Sequence, residues 1–293
     1  LDDSVVTANI STITTLNLYN ENISDLTGIE DFELLDDLSC SNNNLNSLDL
    51  SQNTALTILQ CYNNQLTSLD LSNNTALIGL WCYNNQLTSL DLSNNSALER
   101  LDCYNNQLTT LDVSNSPALY ELGCTNNNLS ILDVSQNTAL KYLFCGSNQL
   151  TTLDLSNNTA LRTLYCNYNQ LTNLDLRNGN NPLLTTFTSL NNPNLLCISV
   201  DDPVWAAANW LTGQEISAWT SFSTDCSLEI IGCTDSTNIN YDPLATLNYN
   251  CVLAMTYVPD DNFEQRLINL GLDDILDDSV VTANISTITT LNL

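Results

Sequence analysis

Residues 56–76 read LTILQCYNNQLTSLDLSNNTA, and residues 77–97, LIGLWCYNNQLTSLDLSNNSA, repeat them almost letter for letter. The 21-residue period continues on both sides of this pair, with Cys, Asn and Asp in phase. The in-phase cysteines are Cys40, Cys61, Cys82, Cys103, Cys124, Cys145 and Cys166; the asparagines are Asn43, Asn64, Asn85, Asn106, Asn127, Asn148 and Asn169; the aspartates are Asp49, Asp70, Asp91, Asp112, Asp133, Asp154 and Asp175. One unit is too short to bury its own apolar side chains, so we expect the units to stack.

The unit A-L-x-x-L-x-C-x-x-N-x-L-T-x-L-D-L-S-x-N-T resembles the leucine-rich repeat, L-x-x-L-x-L-x-x-N/C-x-L. The resemblance implies a right-handed solenoid with a parallel β-sheet on its concave face, a mostly irregular back, a short helical N-terminal cap and a disulfide-closed C-terminal cap. In L-x-C, Leu and Cys point inward because alternate strand residues face opposite sides. The in-phase Asn should satisfy backbone groups at the turn after each strand.

The in-phase cysteines are expected to be buried free thiols that pack as small apolar groups. Their parallel side chains do not favour disulfides between neighbouring coils. A metal site is not indicated, since the chain has no histidine and no paired C-x-x-C spacing.

The in-phase aspartates allow two hypotheses. In the first, each carboxylate accepts hydrogen bonds from backbone N–H groups of the turn that follows, as Asx motifs do. In the second, the carboxylates share cations such as calcium along one edge, which would offset their mutual repulsion.

Outward strand positions on the concave face carry a group of aromatic residues, which are Tyr62, Trp81, Tyr83, Tyr104, Tyr142, Phe144 and Tyr165. The tyrosines at 62, 83 and 104 occupy one position of three successive coils, so their rings should stack. Exposed aromatic patches often mark contact surfaces. Three hypotheses remain: binding of a glycan, docking of a protein partner or of another strand of the same fibre, and a solvated sheet that the aromatic pairs merely stabilise.

The segments after the repeats resemble the ends of leucine-rich repeat arrays in secreted bacterial surface proteins, often of species that use type IX secretion. Residues 197–226, CISVDDPVWAAANWLTGQEISAWTSFSTDC, resemble their C-terminal cap, and 232–251, GCTDSTNINYDPLATLNYNC, resemble a small linker motif of those proteins. The resemblance implies the disulfides Cys197–Cys226 and Cys233–Cys251. It also makes Asp235 and Asp242 candidate calcium ligands, and calcium the one candidate cofactor. Members often carry Asp-Asp-Gly before the last cysteine, where this chain has Asn-Tyr-Asn.

Residues 258–275 resemble the N-terminal cap helix of the same proteins, and residues 276–293, LDDSVVTANISTITTLNL, are identical to residues 1–18. The sequence therefore predicts tandem arrays. Its predicted domains are 1–15, the end of an N-terminal cap; 16–196, about nine coils; 197–226, the C-terminal cap; 227–257, a disulfide-closed linker; and 258–293, the cap and first strand of the next array.

The composition excludes several classes of partner. The chain has 33 acidic and five basic residues and a formal net charge of −28. Nucleic acids and anionic membrane surfaces are therefore not expected as partners. No apolar run is long enough for membrane insertion. Catalysis is not expected either, because histidine is absent and the carboxylates recur in every coil, whereas an active site is unique.

Together these features predict a structural and adhesive module of a giant extracellular surface protein or filament. The resemblance extends to subunits of grappling-hook-like appendages. Expected partners are further copies of the module and a glycan or protein on a target cell. The alternative is a glycan- or protein-binding domain that is repeated only for avidity.

Overall fold

The computed structural model describes residues 10–210, 216–217, 220–228, 231–232, 243–248, 255–257, 267–268 and 279–281. The chain divides into two compact units, Leu1–Cys226 and Ser227–Leu293. Three expectations fall outside the described residues: the Cys233–Cys251 disulfide, the calcium ligands Asp235 and Asp242, and most of the cap helix of residues 258–275.

The first unit is built on a nine-stranded sheet in which every neighbouring pair is parallel and in register. Each strand has three residues and belongs to one coil. The strands are β1 (Thr15–Asn17), β2 (Asp37–Ser39), β3 (Ile58–Gln60), β4 (Gly79–Trp81), β5 (Arg100–Asp102), β6 (Glu121–Gly123), β7 (Tyr142–Phe144), β9 (Thr163–Tyr165) and β11 (Thr186–Thr188). The predicted leucine-rich repeat solenoid is confirmed.

The core consists of the in-phase leucines and cysteines, which lie one above another. In the coil of β3, Leu59 and Cys61 are fully buried, while Ile58, Gln60 and Tyr62 are partly exposed. All seven in-phase cysteines are free and fully buried. Burial raises the pKa of the Cys40 thiol to about 12, so these thiols are neutral and pack as apolar groups.

The in-phase asparagines join each coil to the one before it. The Asn85 side-chain amide donates to Cys61 O of the preceding coil (3.1 Å) and to Cys82 O of its own coil (3.0 Å). Its Oδ1 accepts the backbone N–H of Leu66 at 3.0 Å. The same pattern recurs at Asn64 and Asn106. One buried side chain thus satisfies three backbone groups of two coils.

A second asparagine column was not singled out from the sequence. The Asn74 amide donates to Leu50 O at 3.1 Å and to Asn53 O at 2.9 Å, both in the preceding coil. Asn95 and Asn158 repeat this contact, and all three side chains are fully buried. The back of each coil is therefore also tied to its neighbour by amide hydrogen bonds.

The in-phase aspartates form Asx turns. Asp70 Oδ1 accepts the backbone N–H of Ser72 at 2.9 Å, and the equivalent bond recurs along the column. These hydrogen bonds hold the pKa of the Asp70 and Asp91 carboxyls below the usual value. The geometry is that of the first hypothesis, in which the aspartates cap local backbone groups.

A second, four-stranded parallel sheet continues from the last coils into the C-terminal cap. Its order is β13 (Ser221–Ser223), β12 (Cys197–Ser199), β10 (Asn173–Asp175) and β8 (Thr152–Asp154). Helix α1 (Pro203–Trp210) follows β12 and buries Trp210 beside Phe187 and Phe222. The expected disulfide Cys197–Cys226 is confirmed, with a Cα–Cα distance of 5.8 Å.

In the second unit, β14 (Ile231–Gly232) pairs in parallel with β15 (Leu247–Asn248), and β16 (Met255–Tyr257) pairs antiparallel with β17 (Ser279–Val281). Residues 267–268, inside the expected cap helix, are helical. No helix among the described residues has the length and apolarity needed to cross a bilayer.

The asparagine column yields a stability prediction. Asn85→Ala leaves Cys61 O, Cys82 O and Leu66 N–H without their side-chain partner, and should lower the free energy of unfolding by about 3 kcal/mol. Urea unfolding followed by circular dichroism measures this. The control Gln86→Ala, at the adjacent exposed position, should stay within about 0.5 kcal/mol of the wild type. Equal losses in both variants would contradict the assigned role.

Candidate functional site

The outer face of the nine-stranded sheet carries three columns of side chains, because every second residue of each coil points away from the core. Within the coils of β3–β7 and β9, the first column is Ile58, Gly79, Arg100, Glu121, Tyr142 and Thr163; the second is Gln60, Trp81, Asp102, Gly123, Phe144 and Tyr165; the third is Tyr62, Tyr83, Tyr104, Thr125, Gly146 and Asn167. All seven predicted aromatic residues lie on this face: one in the first column (Tyr142), three in the second (Trp81, Phe144 and Tyr165) and three in the third (Tyr62, Tyr83 and Tyr104).

A network centred on Trp81 occupies the first two columns, and we call Trp81, Arg100, Asp102 and Glu121 the Trp81 cluster. The guanidinium of Arg100 lies 5.3 Å from the centroid of the Trp81 ring and forms an ion pair with Glu121 at 2.9 Å. The Trp81 side chain also acts on the Asp102 carboxylate, through a hydrogen-bonding interaction that lowers its pKa. Four side chains from three successive coils are thereby held in one arrangement.

Two glycines make room for the Trp81 cluster. A Cβ added at Gly79 would lie 2.6 Å from Cζ3 of Trp81, so only glycine lets the indole ring lie across β4. A Cβ at Gly123 would collide with Oδ1 of Asp102, which therefore lies over the coil of β6. The two small residues determine where the larger side chains of the cluster can go.

Asp102 differs electrostatically from the aspartates of the repeat. Burial and the neighbouring Glu121 carboxylate raise the pKa of Asp102 to about 6, and these effects outweigh Arg100 and the Trp81 hydrogen bond, which lower it. The exposed Asp91 carboxyl instead has a lowered pKa because it accepts hydrogen bonds from Ser93. Asp102 is therefore a partly desolvated carboxylate that titrates near neutral pH.

The third column contains a stack of three tyrosine rings. The ring centroids of Tyr62 and Tyr83 are 4.4 Å apart with an interplanar angle of 9°, and those of Tyr83 and Tyr104 are 4.2 Å apart with an angle of 11°. The middle ring is covered on both faces. Burial and the adjacent hydroxyls of Tyr104 and Tyr62 raise the pKa of Tyr83 above its usual range. Of the three rings, only Tyr62 and Tyr104 have a face that is not covered by another ring of the stack.

A chain of asparagine amides runs beside the tyrosine stack. Asn63, Asn84 and Asn105 all have a left-handed backbone, with φ between 52° and 53°. Each side-chain amide donates to the amide oxygen one coil earlier, at 2.8, 2.5 and 2.6 Å. Asn tolerates this backbone conformation better than most residues. These bonds fix the turn that holds each tyrosine.

Beyond Tyr104 the third column carries only small side chains. Thr125 and then Gly146 take the place of tyrosine, and the Asn167 amide leans over Gly146, with its Oδ1 2.9 Å from a Cβ built there. In the second column, the rings of Phe144 and Tyr165 meet edge to face with centroids 5.3 Å apart. The two aromatic groups are thus separated by a region of small residues.

The structure therefore stacks Tyr62, Tyr83 and Tyr104, pairs Trp81 with Arg100 in the neighbouring columns, and groups Phe144 with Tyr165. The candidate site predicted from the sequence consisted of aromatic residues alone, and it did not include Arg100, Asp102 or Glu121. The sequence did contain a signal for this cluster. Trp81 is followed, at outward positions of the next two coils, by one basic residue, Arg100, and two acidic residues, Asp102 and Glu121.

No group of three or more His, Cys, Asp or Glu residues suited to hold a metal ion exists within the part of the chain that the structure describes. The candidate calcium ligands Asp235 and Asp242 lie outside that part.

No protein-family model matches this chain. Internalin J of Listeria monocytogenes serotype 4b (strain F2365) is 44% identical over 52 residues, which are 18% of this chain and 6% of that protein. Among solved structures, YopM, a leucine-rich effector protein from Yersinia pestis, is 28% identical with a TM-score of 0.50, covering 64% of this chain and 50% of that one. The leucine-rich repeat ectodomain of the Arabidopsis thaliana receptor kinase GASSHO1/SCHENGEN3, solved in complex with CASPARIAN STRIP INTEGRITY FACTOR 2, is 25% identical with a TM-score of 0.52, covering 60% and 23%.

The architecture is that of leucine-rich repeat proteins. The chain spans half or less of the length of each of these relatives, so their likeness covers the repeats and not a whole protein.

The raised pKa of Asp102 predicts a pH-dependent difference between the wild type and Asp102→Asn. The folded pKa of about 6 lies above the ordinary 3.8, so the folded state holds the proton more tightly. The contribution of Asp102 to stability is therefore greatest at low pH and falls as the pH rises from about 4 through 6. Between pH 4 and pH 7.5, the free energy of unfolding of Asp102→Asn, measured with urea, should rise by about 2–3 kcal/mol relative to that of the wild type.

The control for this comparison is Asp91→Asn, because the pKa of the Asp91 carboxyl is lowered. This variant should show no gain relative to the wild type as the pH rises. A stability difference between Asp102→Asn and the wild type that does not change with pH would contradict the assigned environment of Asp102.

Proposed function

We propose that this chain is a binding module of an extracellular surface protein, and that it holds a protein partner on the outer face of the nine-stranded sheet. The observation that carries the proposal is the Trp81 cluster. Along the repeats the core columns keep nearly the same residues, whereas the outer columns depart from the pattern and build one interlocked set of tryptophan, arginine and acidic side chains. Tryptophan, tyrosine and arginine are the residues that most often dominate binding energy in protein interfaces.

The geometry of the tyrosine stack favours a protein partner over a glycan. A sugar ring binds an aromatic residue by lying on its face, and in this stack the faces of Tyr83 are covered by its neighbours. The outward edges and hydroxyls suit hydrogen bonding to a polypeptide surface. The plant receptor ectodomain, which shares the fold, was solved with a bound partner.

The disulfide Cys197–Cys226 supports an extracellular location, because such bonds persist in oxidising compartments. The identity of residues 276–293 with 1–18 supports tandem copies of the module. In such an array, many weak contacts would add up to firm attachment to a target surface, which is an adhesive role.

A second candidate function is structural, as a filament or bundle of the type IX-secreted surface proteins that the sequence resembles. The identity of residues 276–293 with 1–18 favours it, since consecutive arrays along one chain can build an extended assembly. Size-exclusion chromatography with light scattering distinguishes the two: a monomer across the accessible concentration range argues for separate binding modules, and growing assemblies argue for a filament.

Binding to intact target cells tests the proposed function. Beads coated with the 293-residue chain should bind cells whose surface proteins are intact, and protease treatment of the cells should remove at least about 90% of the binding. Treatment of the cells with periodate, which destroys sugar diols, should leave the binding of the beads unchanged. Tyr104→Ala combined with Trp81→Ala should reduce binding about tenfold or more, because both residues lie on the outer face.

The matched control combines Asp70→Asn with Asp112→Asn, two exposed positions in the aspartate column away from this face. It should bind as the wild type does. Loss of binding after periodate but not after protease would overturn the proposal in favour of a glycan.

A further inference from the structure

The tyrosine stack ends at Tyr104, and among the described residues no further ring lies against the second face of this last ring. The next residue of the third column is Thr125, and the following one is Gly146, over which the Asn167 amide leans. Neighbouring strands of a sheet lie about 4.8 Å apart, so roughly 9–10 Å separate the coil of Tyr104 from that of Gly146. We call the space above Thr125, between the Tyr104 ring and the Asn167 amide, the Thr125 slot.

We propose that the Thr125 slot receives an arginine side chain of the protein partner, whose guanidinium stacks on the second face of Tyr104, where the ring stack ends, and pairs with the carboxylate of Asp102. This inference rests on the proposed function and deepens it, because it names the chemistry that the partner must present.

The spacing of the tyrosine stack leaves the next layer at the distance that suits one more planar group, such as a guanidinium. The tyrosine rings are 4.2–4.4 Å apart. A further planar group at this distance from Tyr104 lies above Thr125, where the side chain of the protein itself supplies only a methyl and a hydroxyl group. A guanidinium is flat and stacks on aromatic faces, whereas the ammonium of lysine does not.

Charge complementarity favours a cation over a neutral ring. Oδ1 of Asp102 lies over Gly123, in the same coil as Thr125 and two residues before it. The carboxylate therefore borders the slot. The chain as a whole carries a formal charge of −28, which attracts cationic partners over a distance and repels acidic ones.

The chain does not fill this position with a base of its own. Arg100 is engaged on the other side of the cluster, with its guanidinium against Trp81 and Glu121. Lys141 and Arg162 precede β7 and β9, at the opposite end of the strands from the third column. The charge of Arg100 acts on the Asp102 carboxylate and lowers its pKa, but the guanidinium is held against Trp81 and Glu121 and does not fill the space above Thr125.

Two small probes test the slot without knowledge of the partner. The chain is labelled with ¹³C at threonine methyl groups and titrated with N-acetyl-arginine methylamide, and with its citrulline counterpart, which has the same shape but no charge. The arginine probe should shift the Thr125 methyl signal with a dissociation constant on the order of 1–10 mM, and the citrulline probe should bind about tenfold more weakly.

Three variants locate the site. Thr125→Tyr adds one ring to the stack, at a position where three other coils carry tyrosine, so the variant should fold normally. The added ring should occupy the slot and abolish the chemical-shift response to the arginine probe. Because the Thr125 methyl is absent in this variant, the response is followed on the tyrosine ring signals. Asp102→Asn should weaken the arginine probe about tenfold while leaving the citrulline probe unchanged. Asp70→Asn, which makes the same change of charge at an exposed position away from this face, should bind as the wild type does. Thermal unfolding checks that each variant is folded.

The inference is overturned if Thr125→Tyr keeps the response to arginine, or if arginine and citrulline bind alike. Failure of the slot is distinguishable from failure of the proposed function. Protein-dependent binding to cells that survives in a folded Thr125→Tyr variant refutes the slot alone, whereas a wild-type chain that responds to arginine but does not bind cells refutes the cellular function alone.

Discussion

The structure depends on hydrogen bonds that a coil cannot make by itself. In each coil, the turn after the strand leaves carbonyl and N–H groups that a parallel stack does not pair, and the amide of one buried asparagine supplies their partners. Asn85 takes three of these groups, two of them from the preceding coil. An unpaired buried polar group costs about 1–3 kcal/mol, so the arrangement is kept even where the coil length changes. Asn43 and Asn192 make the same bonds in coils whose paired strand residues are 22 apart (Thr15 and Asp37) and 23 apart (Thr163 and Thr186).

The same constraint separates the residues that support the fold from those that are free to act. Leucine, cysteine and asparagine positions face inward and vary little from coil to coil. The outer columns make no contribution to that interior, so they can change without loss of the stack. In the coils of β4–β6 they carry tryptophan, arginine and two acids, and glycines at 79 and 123 give these side chains the space that they need.

A strongly acidic chain tolerates this architecture because most of its in-phase carboxylates have local partners. Asp70 and Asp91 accept backbone hydrogen bonds from the turns that follow them, and the pKa values of both are lowered. Asp102 has the opposite environment, with burial and a neighbouring acid that raise its pKa to about 6. A destabilised carboxylate is maintained on the outer face, where a partner's positive charge can relieve it.

The sequence by itself determined the period, the inward leucines and cysteines, the stacking of Tyr62, Tyr83 and Tyr104, and the Cys197–Cys226 pair, because each follows from a repeat whose copies occupy equivalent places or from a resemblance to known caps. It did not determine the Trp81 cluster or the end of the tyrosine stack. Arg100, Asp102 and Glu121 each stand at a repeat position where the other coils carry different residues, so the 21-residue period does not connect them. Only the tertiary structure, by setting β4, β5 and β6 side by side, decided that Arg100 contacts both Trp81 and Glu121. It also decided that Asp102 lies over Gly123 and that ring stacking ends at Tyr104. Side-chain contacts between neighbouring coils depend on register and rotamer, which are properties of the packed stack.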